Sequence, residues 1–354
     1  MGILDRYIMR TVIGSVLLVM LILLALFSFA AFVNELTYIG KGDYTTLLAL
    51  FYVSLTLPGL AYDLFPVAAL LGSVIGLGVM ASNSELVVMR SAGISIGRIT
   101  WSVMKAGLIL VVTAVIISEF VSGESQRMAQ EIRSEALTGH VNKKIENGFW
   151  TRDEARIINV RRVLSSGELR EIYIYEIDEQ RRMTQVVYAK SATYEDNQWV
   201  LNGVSNSSIS DDAIESSQVI HLPQESLVDP EMIDVIAIKP RSLSALGLYK
   251  YIEYLKENDL NAGHYEMVFW SKVILPFATA VMVFLSIPFV FGPLRSVGVG
   301  VRVLVGTLVG ISFYVIHQMS SYVGLVFHVN PALSAVLPTL VFFTASLLMM
   351  RRIK

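Results

Sequence analysis

The chain has 354 residues, of which 54% are hydrophobic and only 16% charged, with a formal net charge of −2. Soluble domains carry about a quarter charged residues, so this composition argues against a single water-soluble globule, and the charge balance offers nucleic acid no basic block. Cysteine is absent, which removes disulfides, thiol chemistry and any Cys/His zinc site.

In chain order, the first apolar run is Thr11–Val33. Arg6, Arg10 and the small residues around Ser28-Phe29-Ala30 resemble parts of a secretory leader. The run exceeds the ~7–15 residues of a leader's apolar region, and more such runs follow, so a retained membrane helix is expected. Next comes Thr46–Met80, interrupted by Pro58, Asp63 and Pro66, then Trp101–Val121, Met267–Phe291, Val303–Phe327 and Ala332–Met350. About 20 residues cross a bilayer. Thr46–Met80 is long for one crossing and short for two. The basic residues decide: Arg6 and Arg10, Arg90 and Arg98, Arg295 and Arg302, and Arg351, Arg352 and Lys354 share a side only if that run crosses once. It does so with an amphipathic lead-in or as a tilted, proline-bent helix. Six spans with both termini cytoplasmic follow.

Between the third and fourth spans the period changes. ARIINVRRV, LREIYIYEID, MTQVVYAKSATY and NQWVLNGVS alternate apolar and polar residues, with SSGE, DEQRR and EDN between them. This is strand and turn material, up to about ten strands of an antiparallel sandwich or roll, on the side opposite the termini. No helix is expected there before the amphipathic SLSALGLYKYIEYLKEN. The expected division is 1–122 for spans one to three, 123–245 for the β domain, and 246–354 for the lead-in and spans four to six.

SNSELVVMRSAGIS, residues 82–95, separates two spans on the cytoplasmic side. Ser82-x-x-Glu85 reads as a capping box and Gly93 as a left-handed stop, leaving about ten helical residues, ~15 Å. Leu86, Met89, Arg90 and Gly93 fall on one side by spacing. An interfacial helix that merely turns the chain accounts for this pattern. So does a coupling helix of the kind ABC-transporter permeases insert into a groove on an ATPase, and a carboxylate and an arginine on an apolar helix suit a protein groove better than lipid.

SELVVMRSAGIS, LDRY at 4–7, FPVAALLGSVIGLG at 65–78 and FGPLRSV at 291–297 together resemble the lipopolysaccharide-export permeases, the paired LptF/LptG family, and more closely its LptG type. The resemblance runs end to end. It implies an α-helical integral membrane protein with six transmembrane helices, three plus three, around an inserted periplasmic all-β, jelly-roll-like domain. It implies a Gram-negative inner membrane, a heterodimer with an LptF-like permease, an LptB-like ATPase dimer beneath, and an LptC-like periplasmic bridge protein. The implied substrate is lipopolysaccharide, extracted and handed toward the outer membrane. Glu85 inherits the coupling role. The chain has no GxxxxGK[ST] phosphate loop, so ATP and Mg²⁺ belong to the partner ATPase and no cofactor or metal is expected on this chain.

A phosphorylated, acylated glycolipid needs a greasy cavity with cations at its rim. The candidates are Lys41, Arg127, Arg133, Lys143 and Lys144, each equally readable as solvated surface charge. Arg133 matches a basic position of the family. The family's lysine near the outer end of span one is missing from FAAFVNELTY, with Lys41 the nearest substitute. Glu119 matches a family glutamate near the outer end of span three. Asp63 and His317 are ionisable groups inside spans, read here as hydrogen-bonding groups. Gly72-x-x-x-Gly76 and Gly306-x-x-x-Gly310 permit close helix contact; the second pair lies on span five, which in the family forms a lateral gate with span one. A proton-driven secondary transporter would need paired ionisable groups and repeated halves, a membrane enzyme a cluster of His, Asp or Ser. A scaffold protein leaves the charged helix unexplained.

Overall fold

The structure is a computed structural model, and it describes residues 2–138, 142–153, 156–164, 168–178, 182–195, 198–209, 214–224, 240, 243–258, 260–292, 297–327 and 329–352. Arg295, Lys354 and part of the FGPLRSV loop lie outside the described residues, as do the side chains of Lys143 and Lys144.

Helix α1 is Ile3–Glu35 and α2 is Thr46–Ser82. The short α3, Glu85–Ser91, leads to α4, Ile96–Ile116, which passes through a π-helical segment, Ile117–Ser122, into α5, Gly123–Thr138. After the strands come α6, Ala245–Glu257, α7, Gly263–Phe291, α8, Val299–Val326, and α9, Pro331–Arg351. Six helical stretches among the described residues are long and apolar enough to cross a membrane. Thr46–Ser82 is one continuous helix containing Pro58 and Pro66. Its ~55 Å exceeds a bilayer core.

Two compact units divide the chain. One joins Met1–Thr37, Val53–Gln126 and Glu266–Lys354; the other joins Tyr38–Tyr52 and Arg127–Tyr265.

In the first unit α2 is central. In its most apolar window 83% of residues are buried, against 17% for α1 and 22% for α8. Gly72 permits this on one side, because a Cβ there would run into the backbone of Val16 on α1. On another side Gly306 and Gly310 of α8 face Leu71 and Val67, where added Cβ atoms would sit 3.1 and 2.9 Å from the side chains. Four residues before Gly306, buried Arg302 donates from Nη1 to the Gly78 carbonyl at 2.7 Å. A cation that deep is tolerated when a backbone carbonyl receives it. Ile8, Val12 and Val16 of α1, Leu77 and Met80 of α2, Ile99 and Val103 of α4 and Val283 and Ile287 of α7 belong to one buried cluster.

In the second unit six strands form one antiparallel sheet in sequence order: β1 Asn142–Asp153, β2 Arg156–Leu164, β3 Leu169–Ile177, β4 Met183–Glu195, β5 Gln198–Ile209 and β6 Ile214–Gln224. Register puts Val160, Ile172, Ala189 and Val204 in one row, all buried. The row Asn159, Tyr173, Tyr188 lies on the other face, where Arg161 stands over the Tyr173 ring at 5.0 Å. The four alternating segments read from sequence are β2 to β5. The described sheet is a simple meander; the expectation of a roll extends over residues 225–239, outside the described residues. The first strand begins at Asn142, ahead of the ARIINVRRV segment, and residues 123–138 continue the helix of span three.

Candidate functional site

The stop of α3 forms as the sequence implies. Gly93 has φ of 85°, its N–H bonds the Arg90 carbonyl at 3.0 Å, and the Ile94 N–H bonds the Met89 carbonyl at 3.1 Å. These are the paired bonds of a Schellman motif. The start differs. Ser82 is the last residue of α2, its hydroxyl turned back to the Val79 carbonyl at 2.9 Å, so the capping box does not form. Ser84 occupies the N-cap in a left-handed conformation, φ 62°, with no side-chain cap bond. The helix has seven residues, not ten. A non-glycine residue held left-handed costs about 1 kcal/mol or more, and such positions persist where their surroundings over-determine them.

Glu85 therefore opens the helix, and its carboxylate is held by chain from elsewhere. The Tyr7 hydroxyl donates to Oε2 at 2.8 Å, and Asn83 Nδ2 reaches Oε1 at 3.5 Å. Two residues before Tyr7, buried Asp5 accepts from Ser102 Oγ at 2.6 Å and pairs with Lys105 Nζ at 2.9 Å, both on α4. The expected grouping of Leu86, Met89 and Arg90 on one side does not hold. Leu86 is buried and Met89 packs beside it on the bundle core, whereas Arg90 is exposed. The outward face belongs to Val87 and Val88, 49% and 63% exposed, with Arg90. Sequence spacing does not single out these valines, because four apolar residues in a row, Leu86 to Met89, leave the choice of the inward pair to the surrounding bundle.

Lys41 and Arg133 do come together. The Arg133 guanidinium lies 4.4 Å from the centroid of Tyr38 and 5.4 Å from that of Tyr52, and Lys41 Nζ stands 4.9 Å from Tyr38. Gln130 Nε2 donates to the Tyr52 hydroxyl at 3.3 Å. The segment is fixed by the Asp43 N–H on the Ala136 carbonyl at 2.8 Å. Two cations on one tyrosine ring make a cationic patch with an aromatic centre, each contact worth about 0.5–1 kcal/mol at an exposed site. Arg127 is instead engaged by Glu131 on its own helix at 3.1 Å.

Within the spans, Glu119 sits in the π-helical segment, a deformation frequent at functional sites. Asp63 and Glu119 both act electrostatically on Lys272 of α7, and the Tyr62 hydroxyl donates to the Lys272 carbonyl at 2.6 Å. Lys272 was overlooked, though a lysine inside an apolar run is itself the signal. The hydrogen bond expected of His317 is absent at its buried Nδ1, and its ring stacks on Phe313 at 5.8 Å. Among the described residues no group of three or more His, Cys, Asp or Glu could hold a metal.

Comparison with known proteins gives one consistent answer. Residues 6–352 match the family described as lipopolysaccharide export system permease LptF/LptG. The lipopolysaccharide export system permease protein LptG of Haemophilus influenzae is 36% identical over 341 residues, covering 96% of this chain and 95% of that protein. The protein of the same name from Escherichia coli K12 is 36% identical over 354 residues, covering 99% and 98%. With six apolar helices, a sheet inserted after the third, and a match from end to end, the chain belongs to the LptF/LptG family of lipopolysaccharide export permeases.

Proposed function

We propose that this chain is the LptG-type transmembrane permease subunit of an ABC transporter that moves lipopolysaccharide out of the inner membrane toward a periplasmic bridge. The carrying observation is the family match over residues 6–352, with LptG relatives covering nearly the whole chain. The subunit performs no catalysis. A separate ATPase pair consumes ATP and Mg²⁺ and engages α3 from the cytoplasm through Glu85, Val87, Val88 and Arg90. The exposure of Val87, Val88 and Arg90 and the inward anchoring of Leu86 and Met89 support this reading. An LptF-like permease packs on α1 and α8, the two spans with the least buried windows. The sheet and the Lys41–Arg133 patch lie in the periplasm, the patch taking anionic groups of the lipid, and an LptC-like protein extends the bridge. Both termini are cytoplasmic, in accord with the basic residues.

The test is co-purification of wild type and Glu85→Arg with the ATPase under gentle extraction, then ATP turnover in lipid particles. Reversing one charge at a docking contact weakens retention about tenfold or more, or leaves hydrolysis without lipid movement. If wild type binds no ATPase, the reading fails, and proton-linked transport through Asp63, Glu119 and Lys272 becomes the next experiment.

A further inference from the structure

Helix α3 is joined by the chain to α2 through Asn83–Ser84 and to α4 through Ala92–Ser95. Any displacement of α3 is therefore delivered to those two spans through covalent structure. α1 has no such tie; its connection to α2 lies at the opposite end, through residues 36–45. Among the described residues its hold on the bundle includes one buried stripe, Ile8, Val12, Val16, Val19 and Met20, the close approach of Val16 to Gly72, and the polar contacts of Asp5 and Tyr7 at its foot. Apolar stripes slide at little cost, whereas a directed hydrogen bond fixes position.

The two polar contacts diverge. Asp5 is buried and locked to Ser102 and Lys105 of α4 at 2.6 and 2.9 Å. Tyr7 is 46% exposed, so burial does not hold its ring, and its hydroxyl reaches a residue 78 positions away in sequence, at 2.8 Å from Glu85 Oε2. Glu85 begins α3 directly after the left-handed Ser84, which fixes where its carboxylate starts.

We propose that Tyr7 is a positioning residue for energy transmission: its hydroxyl orients the Glu85 carboxylate and ties α3 directly to the foot of α1, so that α1 moves with the short helix when the ATPase displaces it. The inference rests on the coupling reading of Glu85. It adds a third route into the bundle, to the least buried of the spans.

The experiment uses the whole transporter, with its ATPase and partner permease, in proteoliposomes. Lipopolysaccharide extracted per ATP hydrolysed is measured for wild type, Tyr7→Phe, Glu85→Gln and the double variant. Tyr7→Phe keeps the ring and removes only the hydroxyl. It is expected to lower the ratio about three- to tenfold, the range of one ordinary hydrogen bond lost at a half-exposed site, with the subunit's thermal midpoint unchanged, and to add nothing to Glu85→Gln. An unchanged ratio, or losses that add in full, overturns the inference. If Glu85→Gln lowers the ratio and Tyr7→Phe does not, only this inference falls. If Glu85→Gln behaves as wild type in both ratio and ATPase retention, the coupling reading falls with it. A second readout needs no turnover ratio: since the chain lacks cysteine, spin labels at Ile3→Cys and Ser91→Cys report the distance from the α1 foot to α3. It should hold constant on ATP addition and change once Tyr7→Phe is introduced; a change without Tyr7→Phe overturns the proposal.

Discussion

α1 and α2 are both long apolar helices, yet α2 is packed on almost every side and α1 along one stripe. The difference lies in small residues and polar anchors rather than in hydropathy. α2 carries Gly72 against the Val16 backbone, and receives Gly306, Gly310 and Arg302 of α8 on a second side. α1 presents Leu17, Leu21, Leu26 and Phe29 outward, each more than half exposed. Between helices in lipid, burial of one aliphatic side chain gives no hydrophobic gain, so close contact and hydrogen bonds decide which helix is fixed. α2 is built as an axis packed on several sides, and α1 as an element held along one inner stripe, at Val16 and at its foot, and free along its outer face.

Three substitutions break or sharpen that contrast. Gly72→Val places two methyl groups where even a Cβ meets the backbone of Val16. Overpacking of this kind costs about 3 kcal/mol or more, and the purified subunit should lose its cooperative thermal transition. Arg302→Met keeps the length and removes the donor to the Gly78 carbonyl. Hydrogen bonds from charged groups contribute about 1.5–3 kcal/mol, so a clear fall in the midpoint of unfolding in detergent is expected, and no fall would mean that α8 is held by its glycines alone. Leu26→Ala, at a side chain 63% exposed on α1, should change the subunit's own midpoint by less than about 0.5 kcal/mol. A loss as large as that of Arg302→Met would show α1 to be as fixed as α2.

The sequence made the spans legible because runs of apolar residues have few other uses, and Gly93 legible because little else stops a helix that way. What it concealed is physical rather than accidental. The helix of span three persists through GESQRMAQEIRSEALT, a polar segment whose buried side is narrow and built on the small Ala129 and Ala136, so the fall in hydropathy reads as the helix end. Ser82 fits a capping box by spacing, but α2 continues over it and its hydroxyl turns backward. β6 has residues 215–220 exposed on both faces, and a strand without a buried face has no alternation to read. Spacing joined Leu86 to Arg90, while the core takes Leu86 and leaves Arg90 to solvent. The bond between Tyr7 and Glu85 spans 78 residues, and no local pattern announces it.

The approach of Gly72 to Val16 also bears on how the chain is made. Both halves of that contact lie in the first two helices, joined by residues 36–45. A backbone-close helical hairpin is complete once synthesis has passed residue 82. N-terminal portions of a chain assemble first as they leave the ribosome, so α2, with its two prolines, has α1 beside it before α4, α7 and α8 exist. The hairpin is thereby an insertion unit, a seed on which later spans are laid down.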